Sequence, residues 1–338
     1  MKKILLALLT VATLWGCDKN GGDDPPAIKI DNPQSLAQTV YADQGEGSAS
    51  VNFTTTGVWT SAITETTPVP NVAVASVSRA GTNPLWIKIS PESGDKAGAQ
   101  SFTIYLDHNY TGDDRSAKIT ISSGGKSQDV TVTQKAVKED GTVPEDPDGV
   151  RINGVIWAKC NVDTPGTFAA APENMGCFYQ WGRRKSWSAV DPVESVPIPH
   201  WDDTNEAGAE WTQANDPCPP GWRLPTFDQI KSLLDTDKVS SEWTARNSSG
   251  YQMYGYKFTD KETGKSIFLR AAGERYKENG MLFPNSPNRS GVYWCRTPDA
   301  PAANNNYSAA ILMFSIDDRP QWYVATRSSG HSVRCTKE

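Results

Sequence analysis

Apolar and polar residues alternate in short runs along the first part of the chain. Ile87 and Ile89 alternate with polar neighbours, and so do Ile119 and Ile121. Glycine, proline, asparagine and aspartate separate these runs, and no stretch among them has a helical period. A period of two with β-branched residues is typical of strands that bury one face. The pattern therefore predicts an all-β sandwich of about 100 residues over 28–136.

A helical pattern occurs in the second half of the chain. Thr226 followed by Gln229 has the form of a capping box with Thr226 as the N-cap. Apolar residues then follow at helical spacing: Phe227, Ile230, Leu233 and Leu234. Short strand-like runs surround this segment and continue to Cys335. The pattern predicts one clear helix among several strands.

Two segments show no periodicity. Residues 17–27 consist largely of Gly, Asp and Pro, which cannot bury apolar surface, so we expect a flexible tether. Residues 137–149 (VKEDGTVPEDPDG) are acidic and interrupted by Pro and Gly, as in a linker. The sequence thus predicts two domains, residues 28–136 and 150–338.

The N-terminus has the features of an export signal. Two lysines precede an apolar run at 4–14, which is shorter than the roughly 20 residues that cross a membrane. We assign residues 1–16 to a signal peptide. Leu14-Trp15-Gly16-Cys17 resembles a bacterial lipobox, which implies that Cys17 is lipidated and anchors the chain to a membrane. Cleavage by the ordinary signal peptidase, leaving Cys17 free, is the alternative.

The acidic tether after Cys17 resembles the export signals of surface lipoproteins in Bacteroidetes-type bacteria. This resemblance implies an outer-membrane location with the protein exposed at the cell surface. The periplasmic face of the membrane is the other possible location.

Several features of the first domain occur in the order found in a known family. They are Trp59, residues 86–94 (WIKISPESG), Asn109, residues 115–121 (RSAKITI) and residues 130–134 (VTVTQ). Together they resemble the BACON-type domain, which implies an immunoglobulin-like sandwich and, from the family name, carbohydrate binding. Trp59 and Trp86 could stack on sugars, but a sandwich normally buries tryptophan between its sheets. We predict that both are buried and that the domain is a spacer.

Six separated motifs mark the second domain. They are residues 161–168 (NVDTPGTF), 178–181 (FYQW), 218–226 (CPPGWRLPT), 271–273 (AAG), 293–294 (YW) and 332–335 (SVRC). They closely resemble the Fibrobacter succinogenes major paralogous domain. The resemblance implies a C-type-lectin-like α+β fold over 150–338, with an irregular ligand-carrying region and no established catalytic activity.

Apart from Cys17, every cysteine lies in the second domain, and their number is odd. At least one thiol must therefore stay free or pair with another molecule. Long-range disulfides of related lectin-like folds imply a Cys218–Cys335 bond. A second pair among Cys160, Cys177 and Cys295 is left open, and so is the alternative that all of these cysteines are reduced.

The sequence offers little support for catalysis, metal binding or nucleic-acid binding. The net charge is -6, whereas nucleic acid needs a basic surface. Neither Cys-x-x-Cys nor Gly-x-Ser-x-Gly occurs. His331 and Cys335 could form a nucleophilic pair, but a structural cysteine is the favoured interpretation. Residues 223–226 also resemble formylglycine-generating enzymes, but that family's catalytic cysteine context is missing. We predict no enzyme, no cofactor and no metal.

The densest group of oxygen ligands is a short acidic loop that could bind calcium. Its residues are Asp202, Asp203, Asn205 and Glu206. The tripeptides that coordinate calcium and sugar in C-type lectins, Glu-Pro-Asn and Gln-Pro-Asp, do not occur. A solvated acidic loop is therefore the favoured interpretation.

Residues 296–327 are the predicted ligand-binding region, and an ordinary surface loop with Trp322 packed on the sheet is an equally open alternative. They combine amide, aromatic and guanidinium groups, the chemistry of recognition loops. The candidate residues are Asn304, Asn305, Asn306, Tyr307, Arg319, Trp322, Tyr323 and Arg327. The predicted function is a lipid-anchored binding or adhesion protein with a glycan or protein ligand. The alternative is a non-catalytic structural or assembly subunit of a surface appendage or nutrient-uptake complex.

Overall fold

The computed structural model describes residues 27–44, 49–66, 84, 86–190, 198–248, 250–283, 287–297 and 307–337. The chain divides into two compact units, Met1–Thr142 and Val143–Glu338, and the boundary falls within the predicted linker. Strands form most of the regular structure of the described ranges, so the fold is mostly β, which is consistent with the predicted all-β sandwich. The immunoglobulin-like and the α+β lectin-like folds stay predictions. None of the helices in these ranges is long and apolar enough to span a membrane. Cys17, the signal peptide and nearly all of the tether lie outside the described residues.

The described part of unit 1 (Met1–Thr142) contains two sheets around one core. Its strands are β1 (Ile28–Ile30), β2 (Ala37–Val40), β3 (Ala49–Thr55), β4 (Trp59–Glu65), β5 (Ile87–Ser90), β6 (Ser93–Gly94), β7 (Gly98–Leu106), β8 (Arg115–Ser123) and β9 (Lys126–Gln134), with a 3-10 helix at Pro33–Leu36. One sheet has the order β1-β3-β7-β5 and the other β2-β9-β8-β4-β6. The alternating apolar residues of both sheets form one buried cluster, as the period of two predicts.

Trp59 and Trp86 of unit 1 belong to this core. Trp59 is 1% exposed and Trp86 is 8% exposed, so the prediction that both are buried is confirmed. Each indole N–H has a hydrogen-bond acceptor: Trp59 Nε1 donates to Gln100 Oε1 at 3.1 Å, and Trp86 Nε1 donates to Glu65 Oε1 at 3.1 Å. Because both rings pack inside the unit, neither offers a face to a ligand.

Unit 2 (Val143–Glu338) contains three sheets and one α-helix in its described part. Its elements are β10 (Gly149–Ile152), β11 (Val155–Ala158), β12 (Cys177–Tyr179), β13 (Ser186–Ser188), β14 (Trp222–Arg223), α1 (Phe227–Leu233), β15 (Val239–Ser248), β16 (Tyr251–Asp260), β17 (Ser266–Arg270), β18 (Ser290–Trp294), β19 (Ser308–Ser315), β20 (Gln321–Thr326), β21 (His331–Ser332) and β22 (Thr336–Lys337), with a 3-10 helix at Gln213–Asn215. The sheet orders are β10-β11-β22-β14, β13-β12-β21-β18-β19-β20 and β15-β16-β17.

Helix α1 begins where the sequence predicts. The Thr226 hydroxyl accepts a hydrogen bond from the Gln229 backbone N–H, and the Gln229 side chain accepts one from the Thr226 N–H, so the capping box is confirmed. Ile230 and Leu233 are buried in the same cluster as Leu312 of β19. The apolar side of the helix therefore packs on the sheet, and its first turn lies beside the edge strand β20.

A disulfide joins Cys218, in the loop before α1, to Cys335 near the end of the chain, which confirms the predicted pairing. The bond spans 117 residues of sequence. Cys160, Cys177 and Cys295 are free, so no second pair forms among them, and the alternative that all are reduced is wrong. Burial raises the pKa of the Cys177 thiol to about 12 and that of Cys295 to about 11. These thiols are therefore protonated at neutral pH and poor nucleophiles.

Four arginines of unit 2 are almost completely buried: Arg270, Arg275, Arg327 and Arg334. Each donates hydrogen bonds to backbone carbonyl oxygens from distant parts of the chain. A guanidinium has several donors in a rigid fork, so one side chain can bind several irregular segments. These arginines connect the loops of unit 2 to its sheets.

Candidate functional site

Strand β20 carries a row of exposed apolar and aromatic side chains. Trp322, Tyr323 and Val324 are 45%, 46% and 45% exposed. Because side chains alternate along a strand, Trp322 and Val324 lie on one face and Tyr323 on the other. In the described part of the chain, β20 pairs only with β19 and forms an edge of its sheet. We call Trp322, Tyr323 and Val324 the β20 surface.

Helix α1 supports one face of the β20 surface. Trp322 is opposite Leu312 in the register of β19 and β20, and Leu312 belongs to the core beneath α1. The Trp322 ring packs edge-to-face on Phe227 of α1, with the centroids 5.1 Å apart. Lys231 Nζ lies 5.0 Å from the centre of the Phe227 ring. An aromatic side chain is thus fixed in place with much of its surface open to solvent.

Two other predicted ligand residues flank the ends of β20. Arg319 is exposed and follows the turn between β19 and β20, where the Ser315 hydroxyl accepts hydrogen bonds from the N–H groups of Asp317 and Asp318. Tyr307 is 50% exposed and lies just before β19, whose first residue pairs with the last residue of β20. The structure therefore places both residues next to the β20 surface, one at each end.

Tyr307 also contacts a cation. Lys277 Nζ donates a hydrogen bond to the Tyr307 hydroxyl at 2.9 Å. This hydrogen bond lowers the pKa of Tyr307 below its ordinary value. The phenol oxygen therefore acts mainly as an acceptor, and the ring remains half exposed.

Arg327 does not lie at the surface. It is 1% exposed, and its guanidinium lies 4.0 Å from the centre of the Trp181 ring. Its Nε donates to the Ser308 carbonyl at 2.9 Å, and another guanidinium nitrogen donates to the Glu206 carbonyl at 2.8 Å. These contacts hold loops together and leave no group for a ligand, because the side chain points into the unit. Asn304, Asn305 and Asn306 lie outside the described residues.

Unit 2 also contains an open polar cleft of about 520 Å³. Its lining residues are Gln180, Arg183, Arg184, Lys185, Trp187, His200, Asp202, Thr204, Glu206 and Asn215. This cleft could not be predicted from the sequence, because its residues come from three separate segments. The local signals in the sequence are the run of three cations at 183–185 and the acidic residues at 202–206.

The acidic loop that could bind calcium lies in the wall of this cleft. Arg183 contacts Asp202 at 2.6 Å and Glu206 at 3.6 Å, so an arginine occupies the position that a cation would need. This arginine and the hydrogen bond from Thr204 lower the pKa of Asp202, with the Thr204 bond as the larger cause. The described residues contain no group of three or more potential metal-ligating side chains. A solvated acidic loop is the interpretation that fits.

The pair of His331 and Cys335 cannot act as a nucleophilic dyad. Cys335 is bonded to Cys218 and has no thiol. His331 is fully buried, with its ring 4.4 Å from that of Trp294 and Nδ1 3.5 Å from Glu274 Oε2. Burial lowers the pKa of His331 to about 3. The imidazole is therefore neutral at physiological pH and has no direct access to solvent.

Residues 75–135 match the model of the BACON family, described as "Putative binding domain, N-terminal". The match lies within the predicted first domain and confirms the BACON part of the resemblance. The resemblance of unit 2 to the Fibrobacter domain stays a prediction. The search of curated proteins finds no match to this chain.

Three solved structures are similar to parts of the chain. A Bacteroides ovatus GH5 xyloglucanase in complex with a XXXG heptasaccharide is 17% identical, with 42% of this chain and 28% of the enzyme covered and a TM-score of 0.25. A protein from Bacteroides thetaiotaomicron solved by NMR is 18% identical, with 36% of this chain and 97% of that protein covered and a TM-score of 0.23. An endo-fucoidan hydrolase of glycoside hydrolase family 107 is 11% identical, with 74% of this chain and 29% of the hydrolase covered and a TM-score of 0.21.

The chain spans about a quarter of the length of the xyloglucanase, since the similarity covers 28% of that enzyme. Similarities of this size do not assign an activity to this chain. The BACON match is more specific, because it identifies a domain type that is described as a binding domain.

Proposed function

We propose that this chain is a lipid-anchored binding or adhesion protein of the bacterial outer surface. Unit 1 is an immunoglobulin-like, BACON-type spacer, and unit 2 is a C-type-lectin-like head that binds a glycan or a protein. Cys17 carries the lipid, and the tether separates unit 1 from the membrane. The BACON match and the lipobox-like ending at Cys17 support this arrangement.

The observation that carries the proposal is the β20 surface. Trp322 and Val324 are exposed on the same face of β20, and exposed apolar side chains that lie together commonly mark interaction sites. Tryptophan and tyrosine provide a large contact area at a small cost in side-chain entropy, and both are enriched among residues that dominate binding energy. Trp322 is held by Phe227 before any ligand arrives, which reduces the entropy that binding would cost.

The test is an array of host, dietary and bacterial glycans and surface proteins, probed with the full chain. We expect binding to at least one class and loss of most of that binding in the double variant Trp322→Ala with Tyr323→Ala. Val58→Ala is the matched control, because Val58 is 62% exposed and lies in unit 1. Absence of binding, or binding that the double variant retains in full, would refute the proposal.

The anchor and the location need separate experiments. Cys17→Ser should move the protein from the membrane fraction to the soluble fraction. Protease added to intact cells should degrade the native protein if it faces outward. Retention of Cys17→Ser in the membrane would contradict lipidation, and resistance to protease would favour the periplasmic face.

The edge position of β20 favours one alternative, a non-catalytic assembly subunit. An edge strand has backbone N–H and C=O groups that can pair with a strand of another protein. Cross-linking on intact cells distinguishes the two functions. An assembly subunit should cross-link to a constant set of envelope proteins whatever glycan is supplied, whereas a ligand-binding head should not.

A further inference from the structure

The polar cleft of unit 2 contains two cations that form no ion pair with a carboxylate of the described residues. Arg183 is neutralised by Asp202 and Glu206, as described above. Arg184 and Lys185 are exposed, and neither forms an ion pair with another residue of the described ranges. We call Arg184 and Lys185 the cationic wall. Positive charge is therefore available in the cleft.

Both members of the cationic wall are held in position. An Arg184 guanidinium nitrogen donates to the Asp216 backbone carbonyl at 2.6 Å. The carboxylate of Asp216 binds Arg223 at 2.9 Å, so it does not neutralise Arg184. Lys185 Nζ lies 3.9 Å from the centre of the Trp187 ring. An aromatic ring attracts an ammonium group but does not cancel its charge, so an anion can still bind it.

The rest of the cleft provides neutral and acidic polar groups. Asp202, Glu206, Thr204 and Asn215 offer oxygen acceptors and hydroxyl or amide groups. His200 lines the cleft, and its backbone adopts the left-handed conformation with φ of 64°. This conformation is uncommon for a residue with a side chain, and such residues are concentrated at functional sites. The volume of about 520 Å³ is within the range of roughly 300–1,000 Å³ typical of ligand sites.

We propose that this cleft binds an anionic saccharide, a sugar residue that carries one carboxylate or one sulfate ester. Arg184 and Lys185 bind the anionic group, and the neutral and acidic lining residues bind ring hydroxyls. Hydroxyl groups both donate and accept hydrogen bonds, which matches a lining that contains carboxylates beside cations. A polyanion such as an acidic peptide fits less well, because Asp202 and Glu206 would repel its additional charges.

This inference rests on the proposed function as a binding protein and adds a second site with its ligand class. The cleft and the β20 surface share none of their residues, so variants can separate them. Loss of array binding in the Trp322 variant tests the proposed function. Binding of purified saccharides by the cationic-wall variants tests the cleft.

The experiment is calorimetric titration of the full chain with four purified probes. They are a galactose tetrasaccharide that ends in one galacturonic acid, a galactose tetrasaccharide that ends in one sulfated galactose, a neutral galactose tetrasaccharide and a tetraglutamate peptide. We expect one or both anionic saccharides to bind more tightly than the neutral saccharide and the peptide. The first two probes distinguish a carboxylate ligand from a sulfate ligand. Affinity should fall when NaCl is raised from about 50 to about 500 mM, because salt screens exposed charges.

The double variant Arg184→Gln with Lys185→Gln should bind the anionic saccharide roughly ten-fold more weakly or not at all. The control double variant Lys238→Gln with Lys261→Gln removes two exposed positive charges that do not line the cleft, and it should bind normally. Trp322→Ala should also bind normally. Three results would overturn the proposal: no binding of either anionic saccharide, equal affinity for the neutral saccharide or the peptide, or full affinity in the cationic-wall variant.

Discussion

The indole ring of Trp322 meets the ring of Phe227 edge-to-face, with centroids 5.1 Å apart and an interplanar angle of 87°. This contact joins the edge strand β20 to the first residue of α1. It covers only part of the indole, since Trp322 remains 45% exposed. Structural support and an accessible apolar surface are thus combined in one side chain.

Trp322→Ala should therefore reduce binding more than stability. Loss of the aromatic contact and the partial burial should lower the free energy of unfolding by about 1 kcal/mol. Array binding should fall by roughly ten-fold or more, as for a residue that dominates an interface. Denaturation in urea gives the first quantity and titration of the array ligand gives the second.

Trp181→Ala is the matched control, because Trp181 is fully buried in the same unit. Removing a buried tryptophan should lower the free energy of unfolding by about 3–5 kcal/mol. If Trp322→Ala destabilised the protein as much as Trp181→Ala, Trp322 would be a structural residue rather than a ligand contact.

Features with a local cause could be predicted from the sequence. The start of α1 depends on Thr226 and Gln229, which are three residues apart and bind each other. Strand alternation in unit 1 likewise depends on neighbouring residues, and it predicted a core that buries Trp59 and Trp86. Residue type alone left the position of Trp322 open, because tryptophan beside tyrosine is typical of recognition surfaces but a tryptophan packed on the sheet fits the same sequence.

Features with a distant cause could not be predicted. Arginine is a residue type that is common in binding sites, which is why Arg327 was a candidate. Its side chain instead donates to the backbone carbonyl oxygens of Ser308, Glu206 and Gly208. Two of these acceptors lie about 120 residues earlier in the chain, at separations of 121 and 119. The polar cleft could not be predicted for the same reason, because its cations and carboxylates come together only in the folded chain.

The disulfide should contribute strongly to the stability of unit 2. Replacing both Cys218 and Cys335 with serine should lower the free energy of unfolding by about 2–5 kcal/mol, since a loop of 117 residues is no longer closed in the unfolded chain. Tryptophan fluorescence during denaturation reports mainly on unit 2, where most tryptophans lie.

Cys160→Ser is the control for this prediction, because Cys160 is half-buried and forms no disulfide. It should change the free energy of unfolding by less than about 1 kcal/mol. Equal stability of the native protein with and without a reductant would show that the bond does not contribute.

Arg334 should contribute more to the stability of the folded chain than an exposed arginine does. It is 1% exposed, and its guanidinium donates to the carbonyl oxygens of Ala158, Lys159 and Phe268 and to the side-chain oxygen of Asn161. Burial lowers the pKa of this arginine below its ordinary value. Lysine keeps the charge but cannot reproduce the fork, so Arg334→Lys should leave buried carbonyls without donors.

We expect Arg334→Lys to lower the free energy of unfolding by about 2–4 kcal/mol, measured in urea. Arg289→Lys is the control, because Arg289 has a side chain that is 60% exposed and a single ion pair with Asp317 at 3.6 Å. That substitution should lower the free energy of unfolding by less than about 0.5 kcal/mol. A similarly small decrease in the free energy of unfolding for Arg334→Lys would mean that water or a shifted backbone satisfies the carbonyl oxygens that the guanidinium binds.

The buried His331 should make the protein sensitive to acid. Burial lowers its pKa from 6.5 to about 3 in the folded chain, whereas the unfolded chain keeps the ordinary value. Between these values the unfolded chain binds more protons than the folded chain, so acid favours unfolding. The contribution of His331 to stability is complete above about pH 6.5 and falls by about 1.4 kcal/mol per pH unit as the pH decreases toward 3.

Glu274, whose Oε2 lies 3.5 Å from His331 Nδ1, has the opposite effect. Burial raises the pKa of Glu274, so the folded chain holds that proton more tightly and loses stability as the pH rises through the raised value. His331→Leu should flatten the decline of stability between pH 6 and pH 4, whereas Glu274→Gln should make it steeper. Unfolding in urea across this range measures both slopes. A decline of equal slope in His331→Leu and the native protein would place the acid sensitivity in other groups.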